Sequence, residues 1–443
     1  MKKSIILLVS LIFVFTFSFG VFASVFGEHP QFDLGGDTVT IVQPWGTQFE
    51  EGEEKAHLED VESTFNVNIE IRNVPWQDIM DELNASVLAG DPMGDAVNVS
   101  HGWMLNYLED GILRPINEEL KSLDFYDRLP EESSDYVKEI TTFRGETYGF
   151  NNFMDGACRV IIWNKKLFEQ EGLANPYELY EAGEWTFDNF KDIAVQATKD
   201  TDGDGSIDQW GVASTHDSGG DANMPFETGV YFSYANGGRV YREDEGRIKF
   251  GGTEPEYIEG LNFARELINE NVWLRNESGG MPDQFLGGNV AMLETYLGDI
   301  EGLADEMEDE YGIVLYPKGP DTENNVAIGR GDIFYFVVPI GIDNPEATIE
   351  VTSALFEITD PYLDTETYYE DQLEMWSENV WDRESMQMVE EYYANQVTFL
   401  ISPKTLPGFQ GLINSILDGQ EDATSGLEAN QPEAQARIDE IFN

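Results

Sequence analysis

Four aspartates crowd the stretch DTDGDGSIDQWG, residues 200–211, at intervals that suit a divalent cation. Asp200, Asp202 and Asp204 stand at positions 1, 3 and 5 of an EF-type loop, Gly205 at the turn of position 6, and Asp208 at position 9. The expected ligands are these four carboxylates and the Ser206 carbonyl. Several hard oxygens on a flexible ring suit Ca²⁺ better than Mg²⁺, which insists on a tight octahedron. Gly211 stands where the bidentate Glu of position 12 belongs. That argues against a helix–loop–helix sensor and leaves two readings, one structural ion or an acidic turn without one.

Other chemistry is thin. There is no Gly-x-Ser-x-Gly, no Gly-rich loop ending in Gly-Lys-Ser/Thr, and no His-Glu-x-x-His. His29, His57, His101 and His216 have no ligand spacing, which disfavours zinc. Acids are everywhere, so no carboxylate pair for glycoside hydrolysis stands out. What does stand out is aromatic residues near turns: Trp45, Trp103, Trp273 and Tyr296. Aromatic rings pack on the C–H face of a sugar while polar side chains take its hydroxyls. Any single one of these is more often core, and His101 is more often a satisfied turn residue. Only clustering at strand ends would favour a ligand.

The elements that must hold these residues alternate. DTVTIVQPWG (37–46), VNIEIRNVP (67–75) and DAVNVS (95–100) have strand composition. Between them, 50–65 and 76–91 have helical spacing, the second ending at Gly90. Strand and helix in turn imply an α/β layer, whose ligands bind beyond the carboxyl ends of the strands, here at Trp45 and the His101–Gly102–Trp103 turn. The middle and C-terminal parts read as mostly helical, with strands returning at 312–317 and 332–341.

Lys2 and Lys3 precede an apolar run from Ile5 to Phe19, and Val21-Phe22-Ala23 suits cleavage before Ser24. A secretory signal over 1–23 and a retained anchor of similar length both fit. No cysteine follows the run, so a lipoprotein is not indicated. The remaining residues, 443 less 23 or 420, imply two domains. Cys158 stands alone and cannot form an internal disulfide. Eighty-five acids against 25 bases give a net charge of −60, which disfavours nucleic acid and anionic lipid as partners. Aromatics at 12% argue against disorder, so the charge reads as a solvated face adapted to saline surroundings.

Several phrases, in order, resemble one family. They are WGTQFE (45–50), YGF (148–150), VIIWNKKLFEQEGL (160–173), EWTFDNFKDIAVQATKDTDGDGSIDQWG (184–211), YANGGRVY (234–241) and FLGGNVAMLETYLGD (285–299). Together they are similar to the family 1 extracellular solute-binding proteins of ABC transporters, the group of the maltose-binding protein. The resemblance implies an α/β fold of the two-lobed periplasmic-binding-protein type, with a ligand cleft between lobes joined by hinge crossings. Lobe 1 would be 37–151 with 333–392 returning to it, and lobe 2 would be 152–332 with 393–443. Matching positions place Trp45, His101, Trp103, Asp155, Phe226, Glu227, Tyr296, Arg330 and Phe409 around the cleft, with Trp273 carried over from its place near a turn. The Asp-rich loop would be a structural calcium loop. The function implied is non-enzymatic: a periplasmic monomer that captures a sugar or oligosaccharide for the permease of an ABC importer. The rival readings are an osmolyte or glycoside binder under salt stress, and a secreted glycoside-active enzyme.

Overall fold

The computed structural model describes residues 32–44, 49, 50, 52–129, 134, 137, 138, 140–151, 158–215, 226–274, 281–300, 303–329, 333–356, 380, 382–394, 396, 397 and 402–442. The expected signal at 1–23, and Trp45, Asp155 and Arg330, lie outside the described residues.

The first sheet runs Asn68–Asn73, Thr38–Gln43, Ala96–Ser100, Phe334–Val337, Gly149–Phe150. The first three strands are parallel, and the last two run antiparallel to their neighbours. All three parallel strands coincide with the stretches of strand composition in the sequence. Parallel neighbours need a crossover, and the helices Gly52–Phe65 and Trp76–Leu88 supply it. In the second helix Ile79, Leu83 and Val87 recur every fourth residue and are buried. It stops at Gly90, whose φ of 76° suits the left-handed C-terminal position that only glycine takes freely.

The second sheet runs Gln396–Val397, Ala327–Gly329, Cys158–Asn164, Val290–Tyr296, Trp210–Ser214, with Tyr311–Val314 also paired to Cys158–Asn164. One covering helix is Phe187–Ala197. Thr186 caps it by accepting the Asn189 N–H, and Phe187, Phe190, Ile193, Ala194 and Ala197 face inward. Phe187 stacks flat on Phe263 at 4.0 Å, and Phe232 meets Phe187, Phe190 and Phe263 edge-on or tilted. The helix Arg383–Ala394, most of it within the stretch expected in the first lobe, packs on this second sheet instead. Ser385 explains the placement: its Oγ accepts the Ile313 N–H at 3.1 Å and bonds the Tyr177 hydroxyl at 2.8 Å. No helix among the described residues is long and apolar enough to cross a membrane.

The buried carboxylates among the described residues are Glu294 and Glu350, and each is paired with an arginine. Arg128 grips both oxygens of Glu350, at 2.7 and 2.8 Å. The remaining described acids lie at the surface in large excess over bases, and repel one another in dilute buffer. Molar salt shortens the Debye length to about 3 Å and screens that repulsion. The melting temperature should therefore rise between low and molar NaCl; a flat or falling trend in a thermal melt would contradict it.

Candidate functional site

The chain passes from one sheet to the other between Phe150 and Cys158, and again between Gly329 and Phe334. Those strand ends fix which edges face each other. In the first sheet the facing edge is the carboxyl end of the parallel strands, beyond Gln43, Asn73 and Ser100. In the second it is the start of Cys158–Asn164 and the ends of Val290–Tyr296 and Trp210–Ser214. A cleft between these edges lies where α/β sheets bind ligands.

On the first edge, Trp76 follows the Asn68–Asn73 strand and Trp103 follows the Ala96–Ser100 strand. The two outer strands bring the indoles together over the end of the middle strand, stacked at 5.3 Å and 23°. Trp76 is 40% exposed, the one exposed aromatic side chain among the described residues. His101 instead turns inward. It is buried, bonds the Tyr335 hydroxyl through Nδ1 at 3.2 Å and packs near Phe143. Ser100 Oγ accepts the Gly102 N–H and shapes this turn.

On the second edge, Arg159 pairs in register with Tyr296. Its guanidinium is fully buried and bonds Glu294 at 3.1 Å and Ser214 Oγ at 3.3 Å. Its carbon lies 5.0 Å from the Tyr231 ring centre and 4.4 Å from that of Tyr296. Glu294 also accepts from Thr228 Oγ1 at 2.9 Å and from the Tyr316 hydroxyl. Burial pushes the Tyr231 and Tyr316 phenols well above their ordinary value, so both remain neutral. Tyr296 is the half-exposed member of this group, braced by a buried cation at the edge that faces the other sheet.

The other expected residues separate. Glu227 is half-buried on the helix Phe226–Ala235 and paired with Lys404, whose turn Pro403–Thr405 touches the His101–Trp103 turn across the lobes. Phe226 and Phe409 are core: they meet edge-on at 5.9 Å, and Phe409 also packs against Phe250. Trp273 is core as well. It bridges Val212 in mid-strand and packs on Phe232, so no face of it reaches the cleft. Trp76 was missed because its spacing continues the buried stripe of its own helix. The sequence clue was a tryptophan within three residues after each parallel strand, at 45, 76 and 103.

In the acidic loop, oxygens of Asp200, Asp202 and Asp208 lie within 4.8 Å of one another. Asp200 accepts the N–H groups of Gly203 and Gly205 at 2.6 and 2.8 Å, which curls the loop. Thr201 donates through N–H and hydroxyl to Asp208, and these bonds lower its pKa. Asp204 falls outside the convergent group and accepts the Ser206 N–H. Gly211 has its own reason to be glycine: a Cβ there would sit 2.3 Å from the Ala194 carbonyl oxygen. Helix–strand packing therefore forbids the carboxylate that position 12 calls for.

The chain matches the family of bacterial extracellular solute-binding proteins over residues 49–357. Among solved structures it is similar to an ABC substrate-binding protein of Listeria monocytogenes in complex with cycloalternan, at 16% identity and TM-score 0.63, covering 92% of this chain and 100% of that one. A maltose/maltodextrin-binding domain of Bdellovibrio bacteriovorus bound to maltotriose has 14% identity and TM-score 0.60, covering 91% and 100%. A solute-binding protein of Agrobacterium radiobacter in complex with ribitol has 16% identity and TM-score 0.60, covering 91% and 100%. The architecture of all three is that of this chain, two α/β lobes. No curated protein matches the sequence.

The buried pair yields a direct expectation. Arg159→Met leaves Glu294 charged without its cation and should cost about 3–5 kcal/mol in urea unfolding. Arg159→Met with Glu294→Gln should recover most of that loss, because no charge is then left buried. A loss in the double variant equal to the sum of the losses in Arg159→Met and Glu294→Gln alone would mean the pair is not coupled.

Proposed function

The chain belongs to the bacterial extracellular solute-binding proteins, and from that premise we propose that it captures a sugar or oligosaccharide and passes it to the permease of an ABC importer. The observation that carries this reading is the stacked, partly exposed Trp76–Trp103 pair on one cleft edge, opposite the braced Tyr296 ring on the other. A saccharide offers an apolar C–H face to each side and hydroxyls at its rim. A ligand touching both edges binds the closed arrangement better than the open one, and so shifts the population toward it. The residues between Phe150 and Cys158 and between Gly329 and Phe334 are the hinge in this reading. The chain works as a monomer, with residues 1–23 directing export to the periplasm, and with its acidic surface suited to salt. An osmolyte is the second reading, because stacked indoles also receive quaternary ammonium groups.

A thermal-shift screen in molar NaCl over neutral saccharides, polyols and glycine betaine tests this. A saccharide should raise the melting temperature by mass action. Trp76→Ala and Trp103→Ala should each weaken its binding by roughly 1–3 kcal/mol, with the fold retained. A shift with glycine betaine alone would transfer the site to osmolytes.

For the acidic loop we propose one structural Ca²⁺ held by Asp200, Asp202 and Asp208, with water completing the shell. Chelation with EGTA should lower the melting temperature, and Asp202→Ala should abolish that sensitivity while leaving saccharide affinity intact. Protein that melts identically with and without EGTA, and carries no calcium by elemental analysis, would reduce the loop to a turn.

A further inference from the structure

We propose that Asp299 is a specificity-determining residue of the second lobe, whose carboxylate accepts a hydroxyl of a neutral saccharide or polyol. It lies in the turn Leu297–Ile300 that leaves the Val290–Tyr296 strand at the cleft edge, and its side chain is exposed. Two buried threonines aim it. Thr295 Oγ1 and Thr215 Oγ1 reach its Oδ2 at 2.8 and 3.1 Å, and the Tyr296 N–H approaches the same oxygen at 3.4 Å. The hydroxyls come from the ends of two adjacent strands and are themselves 3.1 Å apart. Oδ2 is thereby occupied, and Oδ1 has no partner among the described residues. An exposed aspartate ordinarily samples several rotamers; this one is held in one with an oxygen left open. Binding to it forfeits little side-chain freedom. A hydroxyl donating to a carboxylate forms a short, charge-assisted bond.

Tyr296, three residues earlier, turns its ring to the sheet face that Arg159 occupies, opposite to the face of Thr295 that holds Asp299. The open oxygen by itself, at the end of that strand, matches a molecule that presents a hydroxyl there. A ligand lacking that hydroxyl would leave the carboxylate desolvated and unpaired, so the position discriminates as well as binds.

This inference rests on the saccharide reading above, and its test separates the two. Wild type, Asp299→Asn and Asp299→Ala are titrated calorimetrically with maltotriose, cycloalternan and ribitol. Asparagine retains an oxygen for both threonines but removes the charge. Its melting temperature should stay at the wild-type value while affinity for the bound compound falls tenfold or more. Asp299→Ala should lose both affinity and some stability, because the bonds of both threonine hydroxyls to Oδ2 are removed. If wild type and Asp299→Asn bind the same compound equally, Asp299 is only a brace for its turn and this inference is overturned, with the saccharide reading intact. If none of the three compounds binds wild type, both fall together.

Discussion

A carboxylate leaves water at great cost unless a cation goes with it, and this chain has 85 acids and 25 bases. That imbalance dictates where charge can go. The core admits Glu294 and Glu350 among the described residues, each with an arginine to itself. Nearly every other acid is driven outward, and the interior is left to aromatic and aliphatic packing such as the Phe187–Phe263 stack. The Arg159–Glu294 pair is the more consequential exception. It sits at the strand end where the chain enters the second lobe, so its cost is incurred beside the cleft and not in the middle of the core. Arg159 holds Glu294 on one side and the Tyr296 ring on another. One guanidinium both neutralises the buried carboxylate and braces the ring at the edge of the sheet.

The two edges solve their tasks differently. The first uses parallel strands, whose carboxyl ends gather on one side and carry whatever residues follow them. Trp76 and Trp103 come together because the strands before them flank a common neighbour. The second edge is mixed. The start of one strand lies at the same edge as the ends of two others, and a cation arrives there from one stretch of chain, a ring and a carboxylate from another. In the proposed reading, stacked indoles on one edge and a ring and a carboxylate on the other meet a ligand that has C–H faces and a rim of hydroxyls.

Much of the scaffold was legible because burial periodicity is a local property. The strands 38–43, 68–73 and 96–100, the capped helix after Thr186 and the stop at Gly90 all follow from residues within a few positions. The cleft was less so. Residue type cannot separate an aromatic in a wall from one in a core, and Phe226, Trp273 and Phe409 went to the core. Trp76 showed the reverse confusion, since its helical spacing marks it as buried while the position of the strand end exposes it. Asp299 carried no sequence signal at all. In a chain this acidic nothing distinguishes one aspartate, and what singles it out is Thr215, 84 residues away. Gly211 was visible as the loop's defect, but its reason, the Ala194 backbone pressed against it, is tertiary.

The lobes also meet directly, where Arg437 of the C-terminal helix pairs with Glu109 and the Pro403–Thr405 turn touches the His101 turn. The ion pair is not suited to holding the lobes shut alone. Glu109 is more than half exposed, and an ion pair in that setting contributes about 0–1 kcal/mol, less at high salt. A weak direct contact is what a responsive pair of lobes needs. If the lobes bound each other strongly, a ligand would add little to the closed population. Where the direct contact is weak, the free energy of closure comes from a molecule that touches both edges at once. In the proposed reading the Trp76–Trp103 surface alone supplies half a site, as do Tyr296 and Asp299. In that reading their separation onto two sheets makes binding and closure one event.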